Sequence, residues 1–170
     1  MKIVFVGYMA SGKSAIAKIV STQLSLKLID LDDYIEEKEG KVISRIFKDS
    51  GEIYYRKKEQ EYLNEILSLE ASFVLSVGGG TPCFSGNIDL ILDKSTSFYL
   101  QANVKTIYNR LLSEKSKRPL VAEIKDENLQ EFIAKHLFER AAFYDQSNHV
   151  ISVNEKSVNE IATEILEKLA

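Results

Sequence analysis

The chain has 170 residues, of which 45% are hydrophobic and 28% are charged, a composition that excludes a disordered protein and suits one globular domain over residues 1–170. Its formal net charge of −3 argues against general nucleic-acid binding, which depends on an excess of Lys and Arg. There is no signal-peptide pattern, no stretch of about 18 apolar residues and only one cysteine, so we expect a cytoplasmic protein without a disulfide or a membrane partner.

Short apolar segments alternate with helical patterns along the whole chain. Most of the apolar segments are nearly continuous runs, which are typical of parallel strands covered on both faces. We predict strands over Lys2–Val6, Lys27–Asp30, Phe73–Val77, Ser97–Leu100 and His149–Val153. We predict helices over Ala15–Leu24, Glu52–Leu69, Val104–Leu112, Glu127–Tyr144 and Val158–Leu169. The alternation indicates an α/β protein with a parallel sheet, whose ligands bind beyond the carboxyl ends of the strands.

The most informative motif follows the first predicted strand. Residues Gly7–Ser14 read G-x-x-x-x-G-K-S, the P-loop pattern, and a predicted helix comes directly after them. In such a loop the backbone N–H groups bind phosphate, Lys13 reaches the β- and γ-phosphates, and the Ser14 hydroxyl ligates Mg²⁺. A glycine-rich turn that serves packing alone is the alternative, and the strand–loop–helix context favours nucleotide binding.

Two carboxylates lie at the end of the second predicted strand. If Asp30-Leu31-Asp32 is extended, Asp30 and Asp32 face the same side, near the P-loop. One carboxylate would then hold Mg²⁺, directly or through water, and the other would accept a proton from a substrate hydroxyl or orient that hydroxyl. The alternative is that Asp32 or Asp33 is the N-cap of a helix, and spacing alone favours neither interpretation.

A charged pair and a run of glycines are the next candidates. Arg56 and Glu59 share a helix face, where the carboxylate would orient the guanidinium for capture of an anion. A solvated surface ion pair is the more common meaning of such spacing. Gly78-Gly79-Gly80 follows the third strand directly, and three glycines there favour close approach of backbone to a ligand over a plain turn.

Three cationic features each leave a functional and a structural interpretation open. The segment Lys115–Lys125, which includes Arg118, is either a mobile cover over phosphates or an ordinary solvated loop. Arg110 either stacks on adenine or lies on the surface. Arg140 is either a second anion clamp or, as is commoner for a lone helical arginine, a surface residue.

The remaining polar candidates are isolated in the sequence. His136 and His149 lack metal-ligand spacing, so we expect both to be structural or exposed. Cys83 has no neighbouring base, and we expect it to be a packed or incidental thiol.

Taken together, these residues resemble the shikimate kinase family over essentially the whole chain. The ordered series is Gly7–Ser14, Asp30-x-Asp32, Gly51-Glu52 with Arg56 and Glu59, Gly78–Gly80, Arg118-Pro119-Leu120, and Arg140 with Tyr144. The resemblance implies a three-layer α/β/α fold of the P-loop kinase type with a five-stranded parallel sheet. It also implies a helical substrate-binding insertion at about residues 31–70 and a lid at about residues 115–125. Its implied activity is ATP-dependent phosphorylation of the shikimate 3-hydroxyl by a monomer, in chorismate and aromatic amino-acid synthesis.

The resemblance also implies a role for each motif residue. The catalytic residues would be Lys13, Asp32 as the possible base, and Arg118. ATP would contact Ala10, Ser11, Gly12, Lys13, Ser14, Ala15, Arg110 and Arg118. Shikimate would contact Asp32, Arg56, Gly78, Gly79, Gly80 and Arg140, with both arginines on its carboxylate and Glu59 orienting Arg56. Mg²⁺ would be held by Ser14 and, through water, by Asp30.

Four positions depart from the usual pattern of that family. Ala10 stands where a further loop glycine is usual, so the loop there should be either ordinary in conformation or slightly strained. Ala15 and Leu31 replace polar residues, and Lys156 is only a weak candidate for a basic residue beside adenine. None of these changes removes a proposed catalytic group.

Two other functions fit parts of the same pattern. A small P-loop kinase for gluconate or nucleoside monophosphates would share the size, the P-loop and the lid, but the paired arginines and three glycines argue against it. A nucleotide-binding regulatory protein without transfer activity would bind ATP or ADP alone, and the intact Lys13, Ser14 and Asp32 disfavour it.

Overall fold

The computed structural model describes residues 1–170, apart from the side chain of Pro119 within the Arg118–Leu120 motif, which lies outside the described residues. Five strands form one parallel sheet in the order β2-β3-β1-β4-β5. The strands are β1 (Lys2–Val6), β2 (Lys27–Asp30), β3 (Phe73–Ser76), β4 (Thr96–Gln101) and β5 (His149–Ser152). The five-stranded parallel sheet and the approximate bounds of each strand were predicted correctly.

Helices connect the strands and flank the sheet. They are α1 (Lys13–Gln23), α2 (Leu31–Glu39), α3 (Ile43–Leu67), α4 (Asn87–Lys94), α5 (Val104–Glu114), α6 (Pro119–Ala122), α7 (Asp126–Tyr144) and α8 (Val158–Leu169). Short 3₁₀ turns occupy Thr81–Cys83 and Lys115–Lys117. None of the helices that the structure describes has the length and apolar character needed to cross a bilayer.

The central strand shows that both faces of the sheet are covered. Residues 3–6 of β1 are each fully buried, and successive side chains of a strand point to opposite faces. The core therefore continues on both sides of the sheet, as the unbroken apolar runs predicted.

The strand register sets the position of the site. Asp30 at the end of β2 is level with Ser76 of β3, and Ser76 is level with Phe5 of β1. Three adjacent parallel strands therefore end together, and the segments that follow them leave the sheet side by side. Those segments are the P-loop, the start of α2 and the three glycines.

Local structure differs from the sequence-based expectation at three places. Gly51 interrupts α3 with φ 83° and ψ 171°, a backbone conformation that glycine adopts readily, so the predicted helix from Glu52 is only the second part of α3. Helix α4 was not predicted. The segment 115–125 was expected to be a mobile cover or a solvated loop, but it contains α6, and its Val121 is fully buried.

Candidate active site

The P-loop joins β1 to α1 and carries a partly buried lysine. The ammonium group of Lys13 donates hydrogen bonds of 2.7 Å and 3.0 Å to the carbonyl oxygens of Gly7 and Tyr8. Burial lowers the pKa of Lys13 to about 8, and the negative charge of Asp32 opposes that shift. Lys13 therefore lies against the backbone of the loop, near enough to Asp32 for the two charges to interact.

Ala10 gives the loop a strained backbone. Its φ of 61° lies in the left-handed region, which side chains with a Cβ atom adopt at a free-energy cost. Nη1 of Arg110 donates a 2.8 Å hydrogen bond to the Ala10 carbonyl oxygen. Of the two conformations expected at Ala10, the strained one is present. The two interpretations of Arg110 were stacking on adenine and a position on the surface, and neither included this hydrogen bond to the P-loop.

Asp30, not Asp32 or Asp33, caps the helix that follows β2. Its Oδ1 accepts hydrogen bonds from the backbone N–H groups of Asp32 at 2.9 Å and Asp33 at 3.3 Å. The helix begins at Leu31, so of the two alternatives for Asp30 to Asp32 the extended one does not hold. Leu31 is fully buried, and it anchors the first turn so that Asp32 still lines the same cavity as Asp30.

The surroundings of Asp32 favour its protonated form more than water does. Burial raises the pKa of Asp32 to about 6, and the charges of Asp30 and Glu59 act in the same direction. Burial also raises the pKa of Asp30, although its capping hydrogen bonds oppose that shift. A carboxylate with a pKa near 6 is well matched to accept a proton near neutral pH.

The Arg56–Glu59 ion pair is buried, so the surface interpretation was wrong. Nη1 of Arg56 lies 2.8 Å from Oε1 of Glu59, and the two side chains are 17% and 1% exposed. Oε2 of Glu59 accepts further hydrogen bonds from Oγ1 of Thr81 at 2.8 Å and from the Tyr55 hydroxyl at 3.3 Å. The guanidinium of Arg56 also stacks over the Phe84 ring, 3.9 Å from its centroid. These contacts fix the direction in which Arg56 presents its remaining N–H groups.

The three glycines provide space for charged side chains. A Cβ atom on Gly78 would lie 3.3 Å from Oδ1 of Asp32. A Cβ atom on Gly80 would lie 2.9 Å from Nη2 of Arg56 and 3.4 Å from Nη2 of Arg140. Such short distances require a neighbour to move, so a larger residue would displace the arginines. The segment Gly78–Gly80 therefore brings Asp32, Arg56 and Arg140 to one place.

Arg140 reaches the glycine segment from α7. A Cβ atom on Gly79 would lie 3.5 Å from Nη1 of Arg140 and 3.4 Å from the backbone nitrogen of Met9 in the P-loop. Within the part of the chain that the structure describes, Arg140 takes part in no ion pair, unlike Arg56 and Arg118. The surface interpretation does not hold, because Arg140 is partly buried and its positive charge is available to an anion.

A cavity of about 610 Å³ extends from the P-loop across the ends of the strands. Its lining includes the predicted ATP-site residues, both aspartates and two of the glycines: Ala10, Ser11, Gly12, Lys13, Ser14, Ala15, Arg110, Arg118, Asp30, Asp32, Gly78 and Gly79. Arg56, Arg140 and Gly80 lie outside this lining, beyond the glycine segment. Val158 and Ile161 of α8 also line the cavity, whereas Lys156, the weak candidate beside adenine, pairs with Glu164 at 2.6 Å.

Several buried polar atoms of the site have no hydrogen-bond partner within the described structure. They are Oγ of Ser11, Nε of Arg56 and Nε of Arg118. Arg118 also forms an ion pair of 3.1 Å with Glu114. Because an unpaired buried donor is unfavourable, such atoms are expected where a ligand provides the missing acceptor.

The residues present fit a magnesium ion that is bound together with a nucleotide. Asp30 uses Oδ1 for both capping bonds, which leaves Oδ2 available, and the Ser14 hydroxyl lines the same cavity. Among the described side chains there is no group of three or more acidic, histidine or cysteine residues that would hold a metal alone. Mg²⁺ commonly binds through few protein ligands together with phosphates and water.

A family model described as shikimate kinase matches residues 9–170. The chain belongs to the shikimate kinase family. A shikimate kinase of Flavobacterium johnsoniae is 43% identical over 170 residues, which cover 99% of each protein. The predicted family is therefore confirmed.

Solved shikimate kinase structures share the fold. That of Bacteroides thetaiotaomicron has a TM-score of 0.92 and 31% identity, and the match covers 99% of this chain and 98% of that one. That of Acinetobacter baumannii, solved in complex with shikimate, has a TM-score of 0.87 and 29% identity. The match covers 99% of this chain and 92% of that one. The predicted fold class is confirmed.

Sequence reasoning missed several residues of this shikimate kinase site. Thr81 and Tyr55 donate to Glu59. His136 was expected to be structural or exposed, and its 2.8 Å hydrogen bond with the buried Tyr8 hydroxyl is such a structural contact. The hydroxyl of Tyr144, noted only as part of a motif, donates to the Gly79 carbonyl oxygen. Tyr55 directly precedes Arg56 and Thr81 directly follows Gly80, and this adjacency to a motif was their only signal in the sequence.

Proposed function

We propose that this chain transfers the γ-phosphoryl group of ATP to the 3-hydroxyl of shikimate, giving shikimate 3-phosphate and ADP. The observation that carries the proposal is the meeting of Asp32, Arg56 and Arg140 at the glycine segment, beside the loop that bears Lys13. Shikimate has one carboxylate and several hydroxyls. A pair of arginines with a neighbouring carboxylate complements it chemically.

The P-loop side of the cavity would bind the triphosphate. Its backbone N–H groups and the N-terminal end of α1 favour negative charge. Since the pKa of Lys13 is about 8, its ammonium group is mostly charged near neutral pH and would contact the β- and γ-phosphates. The unpartnered Nε of Arg118 and Oγ of Ser11 would complete this side.

Ser14 and Asp30 would hold Mg²⁺, with Asp30 acting through water. Bound there, the ion would neutralise part of the phosphate charge and help to orient the γ-phosphoryl group. Asp30 would keep its Oδ1 in the helix cap and direct Oδ2 to the water.

The far side of the glycine segment would bind the acceptor. Arg56, held by Glu59, and Arg140, which has no acidic partner in the described structure, would grip the shikimate carboxylate. Gly78, Gly79 and Gly80 would lie against the ring, because the absence of Cβ atoms leaves that space open. The hydroxyls would then face Asp32.

Asp32 would orient the reacting hydroxyl and accept its proton. With a pKa of about 6, Asp32 is mostly ionised near neutral pH, yet it is basic enough for the proton to transfer as the phosphorus–oxygen bond forms. Lys13 and Arg118 would stabilise the charge on the transferring group, which is the main task in phosphoryl transfer.

The test is a coupled assay of ADP release with shikimate, gluconate and several nucleoside monophosphates as acceptors. Among these acceptors we expect only shikimate to support turnover. We expect Asp32→Asn to lower kcat by a factor of about 10²–10⁴. Asp33→Asn is the matched control, since Asp33 is exposed in the same helical turn. Turnover with another acceptor would refute the proposed substrate, and ATP binding without any acceptor-dependent turnover would indicate a regulatory protein.

We also propose that the chain acts as one kinase domain and a monomer in the cytoplasm, with residues 31–70 as the shikimate-binding insertion and 115–125 as the lid. The buried Arg56–Glu59 pair on α3 supports the first assignment, and the position of Arg118 at the cavity supports the second. Sedimentation at several protein concentrations would test the monomer.

A further inference from the structure

One face of α7 presents three polar side chains at consecutive turns. His136, Arg140 and Tyr144 are each four residues apart, so they lie above one another along the helix. The outer two residues each contact a different loop of the site. Arg140 lies between them and reaches the glycine segment.

The first contact joins α7 to the P-loop. Tyr8 is 1% exposed, and its hydroxyl shares a 2.8 Å hydrogen bond with Nδ1 of His136. The two rings also meet edge to face with centroids 5.3 Å apart, and the Phe132 ring packs against His136 with centroids 5.2 Å apart. Burial raises the pKa of Tyr8 to about 12, so its hydroxyl keeps its proton throughout the working range of an enzyme.

The second contact joins α7 to the glycines. The Tyr144 hydroxyl donates a 2.5 Å hydrogen bond to the Gly79 carbonyl oxygen, and its ring packs against Tyr99 with centroids 5.1 Å apart. Tyr144 is fully buried. This end of the helix face is therefore fixed against the sheet.

The residue between these contacts has no acidic partner to fix it. Arg56 is oriented by Glu59, but Arg140 has no such ion pair in the described structure. A long unpaired side chain loses considerable rotamer entropy when it is ordered by a ligand. The position of its guanidinium must therefore come from the helix that carries it and from the neighbours of that helix.

We propose that Tyr8 and His136 are positioning residues for Arg140. Their hydrogen bond ties α7 to the phosphate-binding loop and so sets the distance of the Arg140 guanidinium from the glycine segment. The inference rests on the proposed function, because it assigns Arg140 to the shikimate carboxylate. It adds that the binding of the acceptor by Arg140 depends on Tyr8, a residue of the phosphate-binding loop that is far from Arg140 in the sequence.

Three variants test this bond: Tyr8→Phe, His136→Leu and His136→Asn. We expect the first two to raise the KM for shikimate about five- to tenfold, the effect of losing one buried hydrogen bond, with little change in kcat or in the KM for ATP. His136→Asn keeps a polar atom near the position of Nδ1 and should restore most of the shikimate affinity. Tyr62→Phe is the control, since its hydroxyl bonds Glu39 away from the site.

An Arg140→Ala background shows whether the effect passes through Arg140. Adding Tyr8→Phe there should change kcat/KM for shikimate by less than about twofold, because the positioned group is already absent. An unchanged shikimate KM in both Tyr8→Phe and His136→Leu would overturn the inference, as would an equal rise in the KM for ATP. Wild-type activity with shikimate in the same assay separates these results from failure of the proposed function.

Discussion

Oγ1 of Thr81 donates a 2.8 Å hydrogen bond to Oε2 of Glu59, and both side chains are buried, at 0% and 1% exposure. Thr81 follows the glycine segment, whereas Glu59 lies on α3 and holds Arg56. The bond therefore connects the two parts of the site that would surround shikimate. Asn87 supports the same turn by donating a 3.0 Å hydrogen bond to the Thr81 carbonyl oxygen.

Thr81→Val should weaken shikimate binding more than it slows catalysis. The substitution keeps the shape of the side chain but removes one donor from a buried carboxylate, which costs about 1–3 kcal/mol in similar sites. With Glu59 less firmly held, we expect the KM for shikimate to rise up to about tenfold while the KM for ATP stays constant. Steady-state kinetics would measure this, with the exposed Thr163→Val as control. Unaltered kinetics would mean that Tyr55 and Arg56 suffice to hold Glu59.

The pH profile of kcat/KM should be bell-shaped. Asp32 must be ionised to accept a proton, so activity should rise as the pH passes about 6. Lys13 must be charged to bind phosphate, so activity should fall as the pH passes about 8. Asp32→Asn should remove the acidic limb from its residual activity, whereas Asp33→Asn should keep both limbs. A profile without an acidic limb in the wild type would contradict the role of Asp32 as a base.

Asp32→Asn should stabilise the folded protein at high pH. The pKa of Asp32 is raised from 3.8 to about 6 on folding, so ionisation is harder in the folded state than in the unfolded state. Stability is therefore lost as the pH rises between these two values, by about 2–3 kcal/mol in total. We expect the variant to have the higher free energy of unfolding at alkaline pH and little advantage at acidic pH, as measured by urea denaturation. An advantage independent of pH would show that charge is not its cause.

Ala10→Gly should stabilise the protein slightly. The left-handed φ of 61° costs about 1–2 kcal/mol with a Cβ atom, and the greater freedom of glycine in the unfolded chain offsets about 0.5–1 kcal/mol of the gain. Ala15→Gly, in the first turn of α1, is the matched control, because a helical glycine destabilises by up to about 1 kcal/mol. Urea denaturation should show shifts of opposite sign. A loss of stability in both variants would mean that the left-handed φ at Ala10 costs less than the freedom that glycine adds to the unfolded chain.

The sheet could be predicted because its signal is local. The three central strands β3, β1 and β4 are short runs of mostly buried residues, and burial on both faces favours such runs. The edge strands β2 and β5 are only partly buried. The P-loop is also local, since loop, lysine and helix are contiguous. The start of α2 was less predictable. Extended and helical backbones both suit Asp30-Leu31-Asp32, and the burial of Leu31 in the core favours the helix.

The functional groups of the site could be predicted from the residue types, whereas the burial of their side chains could not. Spacing placed Arg56 and Glu59 on one helix face, but their ion pair is buried because Thr81 and Phe84 approach from another part of the chain. Likewise Tyr8 and His136 are 128 positions apart, and no pattern in the sequence indicates that their side chains form a hydrogen bond. Periodicity and motifs report on neighbours along the backbone, so they identify the groups that take part. The packing of distant segments sets which of those groups lose water, and with it their pKa values and their orientation.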